Sequence, residues 1–150
     1  MKLSSKAFTE GGMIPQKYSF KADNISPPLE WDYVPPNTKS LALIVDDPDA
    51  PMLRWVHWIV YNIPATQNNL KEGILPEGNI EVGIKQGINS WRKIGYGGPS
   101  PPWGTHRYIF KLYALDKELD IDSGLSKSEL IKKMEGHILD EAELVGKYQK

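Results

Sequence analysis

The sequence of 150 residues contains no cysteine. Without a thiol, the chain has no disulfide, no thiolate metal site and no cysteine nucleophile. It also lacks the G-x-x-x-x-G-K-[ST] phosphate loop and the G-x-S-x-G elbow that presents a nucleophilic serine. The absence of these catalytic motifs favours a binding protein over an enzyme.

An excess of charge of either sign is also missing. The chain has 18 Lys and Arg against 19 Asp and Glu, a net charge of -1. Binding of nucleic acid or of an anionic membrane surface usually needs a basic excess, so we expect no nucleic-acid partner. No apolar run has the length of a signal-peptide core or of a transmembrane segment. The sequence therefore predicts a cytoplasmic protein without stable membrane insertion.

What is present is typical of one compact domain over residues 1–150, with 40% hydrophobic and 25% charged residues. Its 13 glycines and 12 prolines are scattered mainly through the first two thirds, as in proteins built from short strands and turns. Apolar and β-branched runs predict strands at 40–45, 56–61 and 107–115. These features predict a mainly β, antiparallel sandwich.

Period-two alternation predicts the faces of the strand residues. In the second predicted strand it places His57 on the same face as Ile59 and Tyr61. In the third it turns Tyr108 inward, and His106 shares that side. The chain is therefore expected to direct an imidazole and a phenol into the same volume.

The C-terminal part changes character. Residues 126–129 read S-K-S-E, a capping box, and they precede apolar residues at helical spacing. We therefore expect one helix that begins near Ser128. Residues 144–148 fit either a second helical turn or a final strand, and we favour the strand.

Two segments indicate a binding site. Residues 46–51, D-D-P-D-A-P, follow the first predicted strand, and residues 95–108, G-Y-G-G-P-S-P-P-W-G-T-H-R-Y, lead into the third. Loops at strand ends commonly carry function because the scaffold beneath them is rigid. The sequence therefore predicts a pocket where these two loops meet.

The residues of these loops suit a phosphate group. Phosphate requires donors such as imidazole and phenol groups, which His57, His106 and Tyr108 supply, and backbone N–H groups in the glycine turn at 97–98. Asp47 would repel phosphate unless it orients a histidine or meets an ammonium group of the ligand. Both roles for Asp47 are compatible with the sequence.

Two other interpretations of the same residues stay open. Aspartates and histidines also bind divalent metals, but the H-x-x-x-H and H-E-x-x-H spacings are absent, and we predict neither a metal nor a cofactor. A hydrolase or isomerase could use Asp47 with His57 or His106 as acid and base. Against a serine nucleophile, Ser100 lies between two prolines with no base at hydrogen-bonding spacing.

Motifs along nearly the whole chain identify a family resemblance. Residues 47–51 match D-P-D-x-P, and residues 104–107 match G-x-H-R, followed by Tyr108. Residues 26–31, S-P-P-L-E-W, and the ending at 142–148 support the match. With these motifs, the chain resembles the bacterial and archaeal branch of the phosphatidylethanolamine-binding proteins, also called Raf-kinase-inhibitor-like proteins.

The resemblance implies a Greek-key β-sandwich with a C-terminal helix and a small anion pocket at one end. The expected ligands are phosphoethanolamine-like head groups or phosphorylated or acidic protein segments, whose binding would regulate a partner. The alternative is a kinase or protease inhibitor that acts through its surface, and a homodimer is compatible with the five tryptophans. The ligand-binding residues that the resemblance implies are Asp47, Asp49, Pro51, His57, Gly98, Ser100, Pro101, Pro102, His106 and Tyr108.

Overall fold

A computed structural model describes residues 1–150 except for the side chain of Val82. The described chain forms two antiparallel sheets and one α-helix, which confirms the mainly β prediction. The smaller sheet has the order β1-β2-β5, with these strands: β1 Lys2–Ser4, β2 Leu29–Asp32 and β5 Asn69–Leu70.

The larger sheet has the order β6-β4-β3-β7-β8. Its strands are β3 Ser40–Asp47, β4 Trp55–Pro64, β6 Lys85–Gln86, β7 Thr105–Leu115 and β8 Ile138–Gln149. After β3, β4 and β6, the chain returns to place β7 beside β3, which is the Greek-key order. β3 is therefore central, and all eight of its residues are buried.

The apolar run in β3 is explained by packing on both faces of the large sheet. Leu43 and Val45 belong to a core cluster that includes Trp31 of the small sheet. Ala42 and Ile44 belong to a second cluster on the other face, with Leu130 and Met134 of the helix. A strand covered on both sides needs apolar residues at every position, not alternation.

The helix α1 spans Lys127–Met134, so it begins one residue before the predicted Ser128. The capping box is confirmed, since Ser126 Oγ accepts from the Glu129 N–H and the Glu129 carboxylate accepts from the Ser126 N–H. Lys127 Nζ lies 2.5 Å from Asp46 Oδ2, which fastens the helix to the end of β3. No helix in the described residues is long and apolar enough to cross a membrane.

The strand that follows α1 confirms the preferred prediction for residues 144–148, because they lie within β8. Burial along β7 alternates as predicted. His106, Tyr108 and Phe110 are buried, whereas Arg107 between them is exposed.

The predicted face of His57 is wrong, because β4 contains a β-bulge. Val45 pairs with Trp58 and the next residue of β3, Asp46, pairs with Val56, which leaves His57 as the extra residue. A bulge interrupts the period-two alternation. His57 therefore packs against Tyr108 of β7, with ring centroids 5.0 Å apart, and not with the helix-side cluster that contains Ile59.

Candidate functional site

The end of β3, the start of β4 and the start of β7 meet at one end of the large sheet. They carry Asp47, His57, and His106 with Tyr108. The loop at residues 97–102 lies beside them, since the Gly97 carbonyl contacts His57. The structure thus brings together four of the residues that the sequence analysis selected.

Asp47 and His106 form a buried pair, with side chains only 4% and 6% exposed. Asp47 Oδ2 lies 2.6 Å from His106 Nδ1. A carboxylate can only accept, so Nδ1 is the donor. The other carboxylate oxygen accepts the Asp49 N–H at 2.8 Å. Asp47 therefore sets the orientation of the imidazole and leaves Nε2 as the nitrogen without a partner among the described residues.

His57 is held by the main chain. Its Nδ1 lies 2.6 Å from the Gly97 carbonyl oxygen, so Nδ1 carries the proton and donates it. Burial lowers the pKa of His57 from 6.5 to about 4, against the opposing effects of this hydrogen bond and of Asp47. At neutral pH the ring is uncharged and its Nε2 is an acceptor. The only N–H of the His57 ring is therefore donated to Gly97, and His57 does not supply the predicted donor to phosphate.

Tyr108 supplies a donor next to these rings. Burial, reinforced by the Asp47 carboxylate, raises its pKa, so the phenol keeps its proton throughout the neutral range. The Ser100 backbone N–H acts on the phenol oxygen and opposes the rise. The hydroxyl proton itself is donated to no side chain or carbonyl of the described residues, and it is available to a ligand.

The three polar atoms without partners are not sealed inside the protein. Within the described residues, no fully buried side-chain nitrogen or oxygen lacks a hydrogen bond. Nε2 of His57, Nε2 of His106 and the Tyr108 hydroxyl therefore keep access to solvent. The gap that borders His57 and Tyr108, and that Val45 and Phe110 also line, is too narrow for a water molecule. This gap has no room for a ligand head group.

Asp49 connects the two loops at the rim. Arg107 donates to both of its oxygens, from Nε at 2.9 Å and from Nη2 at 2.8 Å, and also through its backbone N–H. These bonds lower the pKa of Asp49 to about 2. Asp47, which the sequence offered to a ligand ammonium, and its neighbour Asp49 are thus already occupied on both oxygens.

The glycine turn does not present free donors. The Gly97 N–H bonds to the His57 carbonyl at 2.9 Å, and the Gly98 N–H bonds to Asn24 Oδ1 at 2.7 Å. A Cβ at Gly98 would overlap the Tyr18 carbonyl oxygen, and one at Gly97 would overlap the Trp91 ring. Close packing is therefore what requires glycine here, and the assignment of these N–H groups to phosphate is wrong.

The remaining candidates lie at different depths. Pro101 is buried, whereas Pro51, Ser100 and Pro102 are exposed on the loops. Pro99, which was not selected, is the proline that lines the narrow gap. No cluster of three or more His, Asp or Glu side chains in the described residues could hold a metal ion.

Sequence reasoning missed the contribution of Trp91. Its ring makes an edge contact with His57 at 5.1 Å between centroids and stacks on Phe20 at 4.8 Å. Asn89 positions Trp91, because Asn89 Oδ1 accepts a hydrogen bond from the backbone N–H of Trp91. No motif marks Trp91, although an asparagine two residues before it is typical of such side-chain turns.

Comparisons with known proteins show what this chain resembles in sequence and fold. A family model described as phosphatidylethanolamine-binding protein matches residues 4–149. A UPF0098 protein of Methanothermobacter thermautotrophicus is 49% identical over 150 residues, which cover 100% of this chain and 99% of that protein. The crystal structure of a putative phosphatidylethanolamine-binding protein homolog from Chlamydia trachomatis has a TM-score of 0.92 and 45% identity, covering 99% of this chain and 97% of that one. The crystal structure of YbcL of Escherichia coli, described as a new member of the mammalian PEBP family, also has a TM-score of 0.92, with 33% identity and coverage of 99% of this chain and 98% of that one.

Proposed function

The chain belongs to the phosphatidylethanolamine-binding protein family, and we propose that it binds small phosphate-containing ligands of the phosphoethanolamine type without catalysing their conversion. The observation that carries the proposal is the buried Asp47–His106 pair, 2.6 Å apart, whose imidazole shares the buried face of β7 with Tyr108. Bound ligand would then regulate a partner protein by altering the loops at this end of the sheet.

The phosphate end of the ligand fits His106 and Tyr108. The phenol donates to a phosphate oxygen, and so does His106 Nε2 when the ring is protonated. Asp47 stands behind the ring and balances the charge of the imidazolium. Because both oxygens of Asp47 are engaged by His106 and by the Asp49 N–H, its repulsion of the phosphate is reduced.

The cationic end of the ligand fits His57. Its neutral ring presents an acceptor at Nε2, because Nδ1 donates to Gly97. Asp49 is occupied by Arg107, so an ammonium or a P–OH group finds its acceptor at His57. The site therefore favours a ligand that carries a donor as well as a phosphate.

A protonated imidazole is a stronger donor to phosphate than a neutral one, so we expect binding to be tighter at pH 5.5 than at pH 7.5. Calorimetric titration with glycerophosphoethanolamine measures this, since a phosphodiester keeps its charge over the interval. We expect His106→Gln to weaken binding about 10-fold or more at pH 5.5, since hydrogen bonds to charged groups contribute about 1.5–3 kcal/mol. The same variant should abolish the pH dependence.

His137→Gln is the matched control, because His137 pairs with Asp116, which follows the end of β7 opposite to His106. A wild-type affinity that is constant between pH 7.5 and 5.5, or a pH dependence that persists in His106→Gln, would contradict the proposal.

The contact with the ammonium group is tested with a second phosphodiester in which glycerol replaces ethanolamine. This diester has no ammonium and should bind more weakly than glycerophosphoethanolamine. Asp49→Asn should leave the preference for the ammonium unchanged if His57 is its acceptor.

We expect no hydrolysis of chromogenic phosphate or acyl esters above the rate in buffer. The Asp47–His106 pair has the form of an acid–base dyad, but no serine or threonine hydroxyl in the described residues hydrogen-bonds to either histidine. A serine acts as a nucleophile only when a base activates it. Turnover that purifies with the protein and disappears in His106→Gln would replace the binding proposal by that of a hydrolase.

A further inference from the structure

A second cavity borders Trp91, the residue whose edge also contacts His57. Its volume is about 290 Å³, near the lower end of the range for small-molecule sites. Three loops enclose it, and its walls are mostly apolar: Phe20, Ile25, Ile74, Leu75, Trp91 and Ile94. His57, His106 and Tyr108 do not line it, so it is distinct from the site proposed above.

One wall of this cavity is closely packed, whereas its rim is exposed to solvent. Phe20 and Trp91 stack with their planes 16° apart, and the Trp91 ring lies against Gly97, where a Cβ would overlap it. At the rim, Phe20 and Leu75 remain 40% and 62% exposed. Large apolar side chains left exposed around a concave surface are typical of a ligand-binding groove.

Among the polar side chains that line the cavity, the groups that remain available are donors. Asn24 Oδ1 accepts the Gly98 N–H at 2.7 Å, which leaves the amide N–H₂ of Asn24 without a partner in the described residues. Lys93 forms no ion pair or hydrogen bond through Nζ with these residues. In contrast, the Asn89 side chain and the Tyr96 hydroxyl are satisfied by the main chain. The cavity thus combines apolar walls with an ammonium and an amide donor.

We propose that this cavity binds a small amphiphilic anion. The apolar body, an aryl group or a short alkyl chain, packs between the Phe20–Trp91 stack and the side chains of Ile74 and Leu75. Its carboxylate, sulfonate or phosphate group accepts hydrogen bonds from Lys93 and Asn24. A neutral molecule of the same shape binds by its apolar body alone. Gly97 borders both the cavity and His57, but each site binds its ligand without the other.

The matched probes 8-anilinonaphthalene-1-sulfonate and N-phenyl-1-naphthylamine test the proposal by fluorescence titration, because they differ by the sulfonate. We expect single-site, saturable binding of the sulfonate to the full chain. Lys93→Gln should weaken it about two- to fivefold, the range for an exposed charge pair, and leave the neutral amine unaffected. Leu75→Asp adds a carboxylate at an exposed position of the rim. It should weaken binding of the sulfonate probe more than Lys93→Gln does.

Two variants serve as controls, and both should bind the sulfonate like wild type. Lys132→Gln removes an exposed charge on α1, and His106→Gln alters only the phosphate site. The proposal is overturned if wild type shows no saturable binding, if Leu75→Asp leaves the affinity unchanged, or if Lys132→Gln has the same effect as Lys93→Gln. Loss of the sulfonate in His106→Gln would likewise overturn it, because the probe would then occupy the phosphate site.

Discussion

Lowering the pH from 7 to 4.5 should destabilise the folded protein by about 2–3 kcal/mol through His57 alone. Burial lowers the pKa of His57 from 6.5 in the unfolded chain to about 4 in the folded protein. Between these two values the unfolded state binds more protons than the folded state, so stability falls as the pH decreases through the window. His57 is 3% exposed, so solvent does little to screen the effect.

Urea unfolding of wild type and His57→Gln at pH 7, 5.5 and 4.5 measures this loss. The glutamine variant cannot titrate, so its free energy of unfolding should change less over the interval, whatever its stability at pH 7. His137→Gln should behave like wild type. Burial raises the pKa of Asp46, but the hydrogen bonds from Arg54 and Lys127 outweigh it and lower the pKa, as Arg107 lowers the pKa of Asp49. These carboxylates lose their stabilisation only at lower pH and do not obscure the comparison. An equal loss in His57→Gln and wild type would refute the role of His57.

Gly98→Ala should cost about 3 kcal/mol, the upper end of the usual range for overpacking. The added Cβ would overlap the Tyr18 carbonyl oxygen and lie 2.9 Å from the Phe20 nitrogen. Both are main-chain atoms, which cannot move aside as a flexible side chain can. The same shift would disturb the hydrogen bonds from the Gly98 N–H to Asn24 and from the Phe20 N–H to Pro99.

Gly104→Ala is the control for this substitution, because it lies on the same loop and a Cβ there would meet no atom within 4 Å. Because φ of Gly104 is positive, 63°, alanine there should cost about 1–2 kcal/mol of backbone strain and nothing from overlap. Urea unfolding of both variants gives the comparison. If Gly98→Ala were no less stable than Gly104→Ala and yet failed to bind the phosphodiester, Gly98 would be a ligand residue and not a packing residue.

Much of the fold was accessible from the sequence because its signals are local. The capping box at Ser126 satisfies backbone groups within one turn of the same helix, and the alternation along β7 depends only on the pleat of one strand. The two motifs at residues 47–51 and 104–107 identified the family, and with it the β-sandwich. The convergence of Asp47, His57, His106 and Tyr108 was expected on the same basis.

The orientation, the proton position and the hydrogen-bond partners of the site residues were decided only by the tertiary structure. The bulge that turns His57 toward Tyr108 arises from the pairing of β3 with β4, and the His57 proton is fixed by a carbonyl 40 residues away. Asp47 meets its imidazole across 59 residues, and Gly98 donates to an asparagine across 74. Residue type determines which groups can donate or accept a hydrogen bond. Which partner satisfies each group depends on segments that are distant in the chain and become neighbours only when the sheets pack.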